Sequence, residues 1–203
     1  MIIEKNAWII RPIPHGNNRM KQFLDDNFIA IGYPTGVSFK NLSYDDIRGV
    51  LEKKNWADGI GNVNLFVKKM RVGDFILVPD DNKKDVYIGV IESEYYHDSK
   101  VDKPNEGFYP HQRKVKWLFN KNPLLRSELP DDIRGSLRYP GTIANITKHI
   151  TIIEELLNTG KNNNPKNNLL EKALKVLEEL LEDNNSEIRL KAAEIIVKHH
   201  INE

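Results

Sequence analysis

The chain has 203 residues, 39% of them hydrophobic, and a formal charge of +1 from 30 Lys and Arg against 29 Asp and Glu. This length fits one domain with an appendage, and the near-neutral charge excludes a protein whose whole surface coats nucleic acid. The chain has no Cys, which excludes disulfides, thiolate metal sites and a cysteine nucleophile. No run reaches the roughly 18 apolar residues of a membrane span, so we expect a cytoplasmic protein with no membrane partner.

The two ends of the chain differ in composition. Residues 1–150 carry 23 basic and 19 acidic side chains, whereas residues 151–203 carry 7 and 10 and no Trp, Tyr or Phe. A polar stretch that contains Gly and Pro, residues 158–168, has the composition of a linker. We therefore predict a domain over residues 1–150, a helix end and polar linker over 151–168, and a helical hairpin over 169–203.

Two short apolar runs near the start predict buried strands. Residues 7–11 are stopped by Pro12, and residues 28–33 are stopped by Pro34. Between the two runs, apolar side chains with helical spacing over residues 20–24 predict a helix.

Two further helices are predicted before residue 72. Ser43 and Asp46 have the spacing of a capping box, and the apolar pattern that follows predicts a helix up to about Lys54. Apolar residues over 63–70 repeat at i, i+3, i+4 and i+7, and three cations cluster at the carboxyl end of this stretch. Cations are favourable there because of the helix dipole.

The remaining elements of the first domain are strands. Residues 75–78 and 86–91 are apolar runs on either side of a charged turn, which predicts a hairpin. Residues 113–119 alternate between apolar and basic side chains and predict a strand with a basic outer face. Many short strands, a few interleaved helices and no regular βαβ repeat predict an α+β fold, with helices packed beside a small twisted sheet or barrel.

The tail predicts two helices. Asn168 with Glu171 has the pattern of a helix cap, and a leucine stripe continues from there to Leu181. Residues 184–186 interrupt the pattern before a second apolar stripe over 188–196. The spacing is similar to one unit of a HEAT-like repeat, which cannot bury both of its faces alone. We therefore expect the tail to pack against the first domain or another chain.

One set of charged residues has the composition of a nuclease site. Asp80, Asp98 and Lys100 imitate the two carboxylates and the lysine of magnesium-dependent nucleases. Both pieces lie in stretches rich in turn-forming residues, whereas such a site needs its acids fixed on neighbouring strands. Two solvated turns are the favoured interpretation, and a small metal-dependent nuclease stays open as an alternative.

Other catalytic patterns are missing from the sequence. The six His include no i, i+4 pair on a helix, so we predict no metal site and expect most of them at the surface. The sequence has neither a glycine-rich phosphate loop nor a serine in a nucleophile elbow. We therefore predict a protein that is not an enzyme and has no cofactor.

Aromatic, cationic and amide side chains gather at predicted strand ends and in the neighbouring turns. The set comprises Trp8, Arg11, Tyr33, Trp56, Asn62, Asn64, Tyr95, Tyr96, His97, His111, Arg113 and Trp117. Aromatic faces stack on an unpaired base and amides read its edge, so this set favours recognition of an unstacked or flipped nucleobase. For Trp8 and Trp117, simple core packing is an equally weighted alternative.

Six short motifs follow one another along the first domain. They are Trp8-Ile-Ile-Arg11, Ile29-Ala-Ile-Gly-Tyr33, residues 62–66, Val72-Gly-Asp74, Ile88-Gly-Val90 with Tyr95-Tyr96, and His111-Gln-Arg-Lys-Val-Lys-Trp117. Their order resembles the EVE/YTH-like branch of the PUA-like fold and, more narrowly, is similar to the amino-terminal specificity domains of Mrr-type and McrB-type modification-dependent restriction proteins. The resemblance implies a small curved β-barrel flanked by helices that reads modified bases in an aromatic pocket.

The motif order and the aromatics at strand ends together predict the site residues. The base-binding set is Trp8, Arg11, Tyr33, Asn64, Tyr95 and Tyr96, and Asn64 is expected to pair with the edge of the base. The basic clusters predict a phosphate-binding set of Lys68, Lys69, Arg71, Arg113 and Lys114. The expected partner is DNA with a modified base, with RNA as the alternative, in restriction or defence. Because the tail fits neither a nuclease nor a motor domain, we expect it to bind an effector nuclease or a second copy. A sensor of a free nucleotide-like ligand is the other alternative.

Overall fold

The computed structural model describes residues 5–103, 108–162 and 165–201. Its contacts divide the chain into two compact units, Met1–Ile153 and Glu154–Glu203. The division falls inside a helix, Ile150–Asn162.

The first unit contains one curled, half-barrel sheet of eight strands. The strands are β1 (Ala7–Ile10), β2 (Phe28–Ile31), β3 (Phe75–Pro79), β4 (Asp85–Ile91), β5 (Tyr96–His97), β6 (His111–Trp117), β7 (Leu124–Leu125) and β8 (Ile143–Asn145). Their order is β2-β6-β4-β3-β1-β8, with β5 paired to β6 and β7 paired to β4. The β1 and β3 pair is parallel and the other pairs are antiparallel.

The described residues also form seven α-helices. They are α1 (Met20–Asp26), α2 (Tyr44–Glu52), α3 (Ile60–Asn64), α4 (Asp131–Ser136), α5 (Ile150–Asn162), α6 (Pro165–Leu180) and α7 (Ser186–Ile201). This mixture of a curled sheet and helices confirms the α+β prediction. Within the described residues, no helix has both the length and the apolar character that a membrane span requires.

The two proline-stopped strands, the hairpin and the capping box predicted in the first unit are confirmed. Both proline-stopped runs form strands, β1 and β2, and every residue in them is buried. The predicted hairpin is formed by β3 and β4, with Phe75 opposite Val90. Helix α2 begins with the predicted capping box, in which the Asp46 amide donates to Ser43 Oγ at 3.1 Å and the Ser43 amide donates to Asp46 Oδ2 at 3.1 Å.

The helix predicted over residues 63–70 has an unexpected ending. Helix α3 begins earlier, at Ile60, and continues into a π-helical turn over Leu65–Lys69. The wider turn closes with a bond from the Met70 amide to the Leu65 carbonyl at 3.0 Å. The last carbonyls of a helix have no partner inside it, and this turn leaves those of Phe66 and Val67 available to the side chain of Arg113.

The strand predicted over residues 113–119 lies two residues earlier. Strand β6 starts at His111, which pairs with Ile31 of β2 and with His97 of β5. Its first three side chains are polar and nevertheless buried. Hydropathy alternation therefore could not indicate where this strand begins.

The core of the first unit lies between the sheet and helices α1 to α3. Its fully buried side chains include Phe23, Phe39, Ile47, Leu51 and Phe66. Trp117 also packs in this core, and its indole N–H donates to the Phe23 carbonyl at 2.9 Å. Core packing is therefore the role of Trp117.

The second unit contains the rest of α5 and helices α6 and α7. The polar stretch predicted as a linker is largely helical, which corrects that prediction, because α5 runs to Asn162 and α6 begins at Pro165. Proline is well tolerated at a first helical position, where its missing N–H is not needed. The side chains of Asn168 and Glu171, assigned to the helix cap, lie outside the described residues, and α6 starts before them.

Helix α7 does not have the single buried stripe that was predicted. Ala192 of that stripe is buried, whereas Ile188 and Ile195 are exposed. Leu190 and Val197, outside the stripe, each expose more than half of their accessible surface. Val176 of α6 is also more than half exposed. The described part of the second unit therefore presents apolar side chains to its surroundings.

Candidate functional site

A cleft of about 420 Å³ lies in the first unit. Its described lining comes from the loop after β1 (Ile13, Pro14, His15), the end of β2 (Gly32, Tyr33), the segment before and at the start of α3 (Asn55, Trp56, Asp58, Gly59, Asn62), and Thr142 before β8. Strands β1 and β2 are not neighbours in the sheet, so the curl of the sheet brings their ends together. The volume is within the range of small-molecule sites.

Three aromatic rings form a continuous wall of the cleft. The ring centroids of His15 and Trp56 are 5.4 Å apart, those of Tyr33 and Trp56 6.1 Å, and those of His15 and Tyr33 6.3 Å. The His15 and Trp56 rings are tilted at 53°, whereas the pairs that Tyr33 makes with Trp56 and His15, at 72° and 68°, have the edge-to-face arrangement that aromatic rings favour. Because the rings contact one another, a planar ligand would stack against one of them rather than enter between two.

Two glycines make this wall possible. A Cβ at Gly59 would lie 2.3 Å from Tyr33 Cε1, and a Cβ at Gly32 would lie 2.7 Å from the imidazole of His15. Both distances are shorter than van der Waals contact. The rings of Tyr33 and His15 therefore take the space that larger residues would occupy.

The backbone around the cleft is strained at three non-glycine residues. His15, Tyr33 and Asn55 have φ values of 49°, 68° and 60°, in the left-handed region. This conformation is uncommon for residues with a Cβ, and such strain concentrates at ligand-binding and active sites.

The peptide groups of Tyr33 are held by two histidines. The Tyr33 amide donates to His15 Nε2 at 3.3 Å, and the Tyr33 carbonyl is 3.0 Å from His111 Nε2. Burial lowers the pKa of His15, and it lowers the pKa of His111 to about 3. Both imidazoles are therefore neutral at pH 7, and the free lone pair on His15 Nε2 accepts the Tyr33 N–H.

The polar residues of the described lining include amides and one carboxylate. The Asn62 amide approaches the Tyr33 hydroxyl at 3.5 Å, and Asn55 and Asp58 line the same cleft. An amide has both donors and acceptors, whereas a carboxylate only accepts. The described lining includes no Lys or Arg.

Of the residues predicted to bind a base, the structure places Tyr33 in the cleft. Trp8 is buried in the core, and its indole N–H donates to Asp74 Oδ2 at 2.7 Å. Tyr95 is only 4% exposed, so its ring has no free face for a base. These positions correct the assignment of Trp8 and Tyr95 to the base-binding set, and for Trp8 they fit the alternative of core packing.

Three further candidates are outside the cleft lining. The Arg11 guanidinium donates to the carbonyls of Leu137 and Tyr139 at 3.3 and 2.6 Å. The Tyr96 hydroxyl donates to Gln112 Oε1 at 2.8 Å, and burial raises the pKa of Tyr96 to about 12. Asn64 is part of α3 but not of the lining, because residues two apart on a helix point in different directions. The asparagine of α3 that lines the cleft is Asn62.

The phosphate-binding candidates divide into exposed and buried side chains. Lys68, Lys69, Arg71 and Lys114 are exposed. Arg113 is fully buried, and its guanidinium donates to the carbonyls of Phe66, Ser93 and Val67 at 2.8, 3.1 and 3.2 Å. A phosphate at the surface cannot reach it, which corrects that assignment.

Sequence reasoning missed His15 and undervalued Trp56. His15 was expected at the surface with most other histidines, and its place between Pro14 and Gly16 gives no signal of an aromatic contact. Trp56 was in the inventory of aromatics but not in the chosen base-binding set. It is the one Trp of this sequence outside the predicted strands, and that position is a usable signal.

The residues of the nuclease alternative serve as turn formers. Asp80 accepts the amide of Asp81 at 2.7 Å, and Asp98 accepts the amide of Lys100 at 3.0 Å. Across the described part of the chain, no three His, Asp or Glu side chains are grouped in a way that could hold a metal ion. The two solvated turns are thus the arrangement observed.

Comparison with known proteins gives a family but no activity. No curated protein matches the chain. Residues 8–138 match a family described as Domain of unknown function (DUF8426), and this range includes the three aromatic wall residues of the cleft. Because the match covers more than half of the chain, the protein belongs to this family of unknown function.

Proposed function

We propose that the first domain is a PUA-like module that binds DNA and reads one modified, flipped base in the cleft, without catalysing a reaction. The observation that carries this proposal is the aromatic wall of His15, Tyr33 and Trp56 beside the amides of Asn55 and Asn62. A role in restriction or defence follows from the resemblance to modification-dependent restriction proteins.

A flipped base loses its stacking and base-pairing contacts, and the aromatic rings and amides of the cleft replace them. Stacking on one aromatic ring contributes about 1–3 kcal/mol per base, and Tyr33 and Trp56 offer such rings. The amide of Asn62 then hydrogen-bonds to the edge of the base. Asp58 only accepts, so it favours a base edge that presents a donor.

The phosphates of the bound strand lie outside the cleft. Its described walls include Asp58 and no cation, which makes them unfavourable for a phosphate. The exposed cations Lys68, Lys69, Arg71 and Lys114 are the proposed phosphate contacts.

A binding panel tests the proposal. The full chain is titrated at one salt concentration with oligonucleotides that differ only in one base modification, each as DNA and as RNA, single- and double-stranded. We expect one modified base to bind at least tenfold more tightly than its unmodified form. Trp56→Ala removes this preference, whereas Tyr44→Ala, an exposed aromatic outside the cleft lining, retains it. Equal affinity of the wild type for all members of the panel overturns the proposal. An equal loss of affinity for modified and unmodified strands in Trp56→Ala also overturns it.

A sensor of a free, uncharged nucleobase or nucleoside is the second candidate function. The lack of a cation among the described walls favours it, because such a ligand brings no phosphate into the cleft. Saturable binding of a nucleoside, with no binding to any oligonucleotide of the panel, would replace the first proposal with this one.

We propose that α6 and α7 form a hairpin that is an interaction element, for an effector nuclease or for a second copy. The exposed side chains of Leu190, Ile195 and Val197 support this proposal. Light scattering of the full chain and of Leu190→Glu tests it. A dimer that Leu190→Glu dissociates indicates self-association, and a monomer in both excludes it.

A further inference from the structure

Behind the aromatic wall lies a chain of buried hydrogen bonds that ends on Tyr33. His111 is fully buried at the start of β6. Its Nε2 is 3.0 Å from the Tyr33 carbonyl, and its Nδ1 is 2.7 Å from the Tyr95 hydroxyl. The Tyr95 hydroxyl in turn accepts the Phe39 amide at 3.1 Å. Neither His111 nor Tyr95 is among the described residues that line the cleft.

The direction of every bond in this chain is fixed by chemistry. A carbonyl only accepts, so His111 Nε2 carries the hydrogen and donates it to Tyr33. A neutral imidazole has one N–H, so Nδ1 must accept from the Tyr95 hydroxyl. The chain therefore runs from the Phe39 amide through Tyr95 and His111 to the Tyr33 carbonyl, with each donor matched to an acceptor.

This chain fastens two points of the loop that follows β2, Tyr33 and Phe39. The loop runs from Gly32 to Ser43, and the ring of Phe39 within it stacks on His111 with centroids 4.3 Å apart and an interplanar angle of 15°. Through its backbone, the same loop sets the left-handed conformation of Tyr33. The orientation of the Tyr33 ring in the cleft wall thus depends on contacts made by His111 and Tyr95.

We propose that His111 and Tyr95 are positioning residues that hold Tyr33 in the orientation the cleft needs for its ligand. The bond from His111 Nε2 to the Tyr33 carbonyl carries this role, because it is the contact that reaches the wall residue directly. The proposal deepens the base-binding function and rests on it where a bound base is concerned.

Two substitutions of His111 by amide side chains test the hydrogen bonds of Nε2 and Nδ1 one at a time. In His111→Gln, the side-chain amide reaches the position of Nε2 and still donates to the Tyr33 carbonyl. In His111→Asn, the shorter amide reaches only the position of Nδ1 and still accepts from Tyr95. Both variants lose one hydrogen bond and the stacked ring, so their free energies of unfolding are expected to be similar.

The first measurement needs no ligand. The indole N–H of Trp56 gives an NMR signal that is sensitive to the neighbouring Tyr33 ring, and Trp56→Phe assigns it. We expect His111→Asn to move this signal and His111→Gln to leave it near the wild-type position. An equal shift of the Trp56 signal in both variants overturns the positioning role. A shift that is proportional only to the loss in free energy of unfolding also overturns it.

The second measurement uses oligonucleotides that carry methylated cytosine or methylated adenine, with their unmodified forms. For the form that the wild type prefers, we expect His111→Asn to weaken binding about fivefold to tenfold, as for one lost hydrogen bond. We expect His111→Gln to bind within about twofold of the wild type. If the wild type prefers no probe while the Trp56 signal still moves in His111→Asn alone, base reading fails and the positioning of Tyr33 stands.

Discussion

The phenol ring of Tyr33 occupies the space in which a side chain at position 59 would begin. A Cβ built on Gly59 would lie 2.3 Å from Cε1 and 2.5 Å from Cζ of that ring. This contact joins the end of β2 to the segment that leads into α3, two parts of the chain separated by 26 residues. This wall of the cleft therefore requires glycine at position 59, because any Cβ there would collide with the Tyr33 ring.

Gly59→Ala is expected to displace the Tyr33 ring and destabilise the first unit. The added methyl group overpacks the contact, which typically costs about 1–3 kcal/mol. Gly61→Ala is the matched control, since it lies two residues away within α3 and a Cβ there meets nothing within 4 Å. Alanine in a helix is favourable, so this control is expected to be neutral or slightly stabilising. Urea denaturation of both variants measures the difference, and equal free energies of unfolding would contradict the tight contact.

Arg113→Lys is expected to destabilise the first unit strongly although it keeps the charge. The guanidinium donates to the carbonyls of Phe66, Val67 and Ser93, and an ammonium group on a thinner stem cannot match this planar arrangement. Losing contacts of a buried charge costs about 3 kcal/mol or more.

The neighbouring Lys114 gives the control for this prediction. Its side chain is exposed, so Lys114→Gln should change the free energy of unfolding by no more than about 0.5 kcal/mol. Denaturation curves in urea compare the two. A loss below about 1 kcal/mol for Arg113→Lys would show that the buried guanidinium is not structural.

Local signals predicted the strands β1 to β4 and the helices α1 and α2 because the causes of these elements are local, whereas β5, β7, β8 and α4 were not predicted. A proline stops β1 and β2, and the Ser43 capping box starts α2, within a few residues in each case. Hydropathy missed the start of β6 because His111 and Gln112 are polar and yet buried. Their hydrogen-bond partners are distant in sequence: Tyr33 and Tyr95 for His111, and Tyr96 for Gln112. A hydropathy pattern cannot identify polar residues that are buried because they hydrogen-bond to residues distant in sequence.

The candidate site was predicted only in part, for a related reason. Tyr33 was identified because it follows a strand, and the structure places it in the lining of the cleft. His15 and Trp56 join it through the curl of the sheet and the space left at Gly32 and Gly59, which are properties of the folded chain. Tyr95 follows β4 just as Tyr33 follows β2, yet it is buried, and nothing local distinguishes the two.

The exposed cations give a prediction on salt dependence. Each phosphate contact to double-stranded DNA adds a slope of about −0.9 to the plot of log K against log salt concentration. Lys69→Ala and Arg71→Ala, both exposed, are each expected to reduce the slope by about one contact while leaving the preference for a modified base unchanged. Lys191→Ala, an exposed cation of α7 in the second unit, is the control. Affinity that falls with no change of slope would remove these residues from the phosphate set.

The pH dependence of stability is expected to report on His111. Burial lowers its pKa from an ordinary 6.5 to about 3 in the folded protein. Between these values the unfolded chain binds a proton that the folded chain does not, so the free energy of unfolding falls as the pH is lowered through this window. The slope from this one group reaches about 1.4 kcal/mol per pH unit and disappears above pH 6.5.

His111→Gln isolates this contribution, because glutamine does not titrate and the other acids and histidines stay in both proteins. Burial lowers the pKa of His15 in the same direction, and that effect is common to the wild type and the variant. Urea denaturation at pH 7, 6, 5 and 4 should therefore show the wild type losing stability more steeply than His111→Gln below pH 6.5. Parallel curves would mean that His111 takes up a proton in the folded state, which would reverse the bond between Tyr95 and Nδ1 and break the hydrogen-bond chain behind Tyr33.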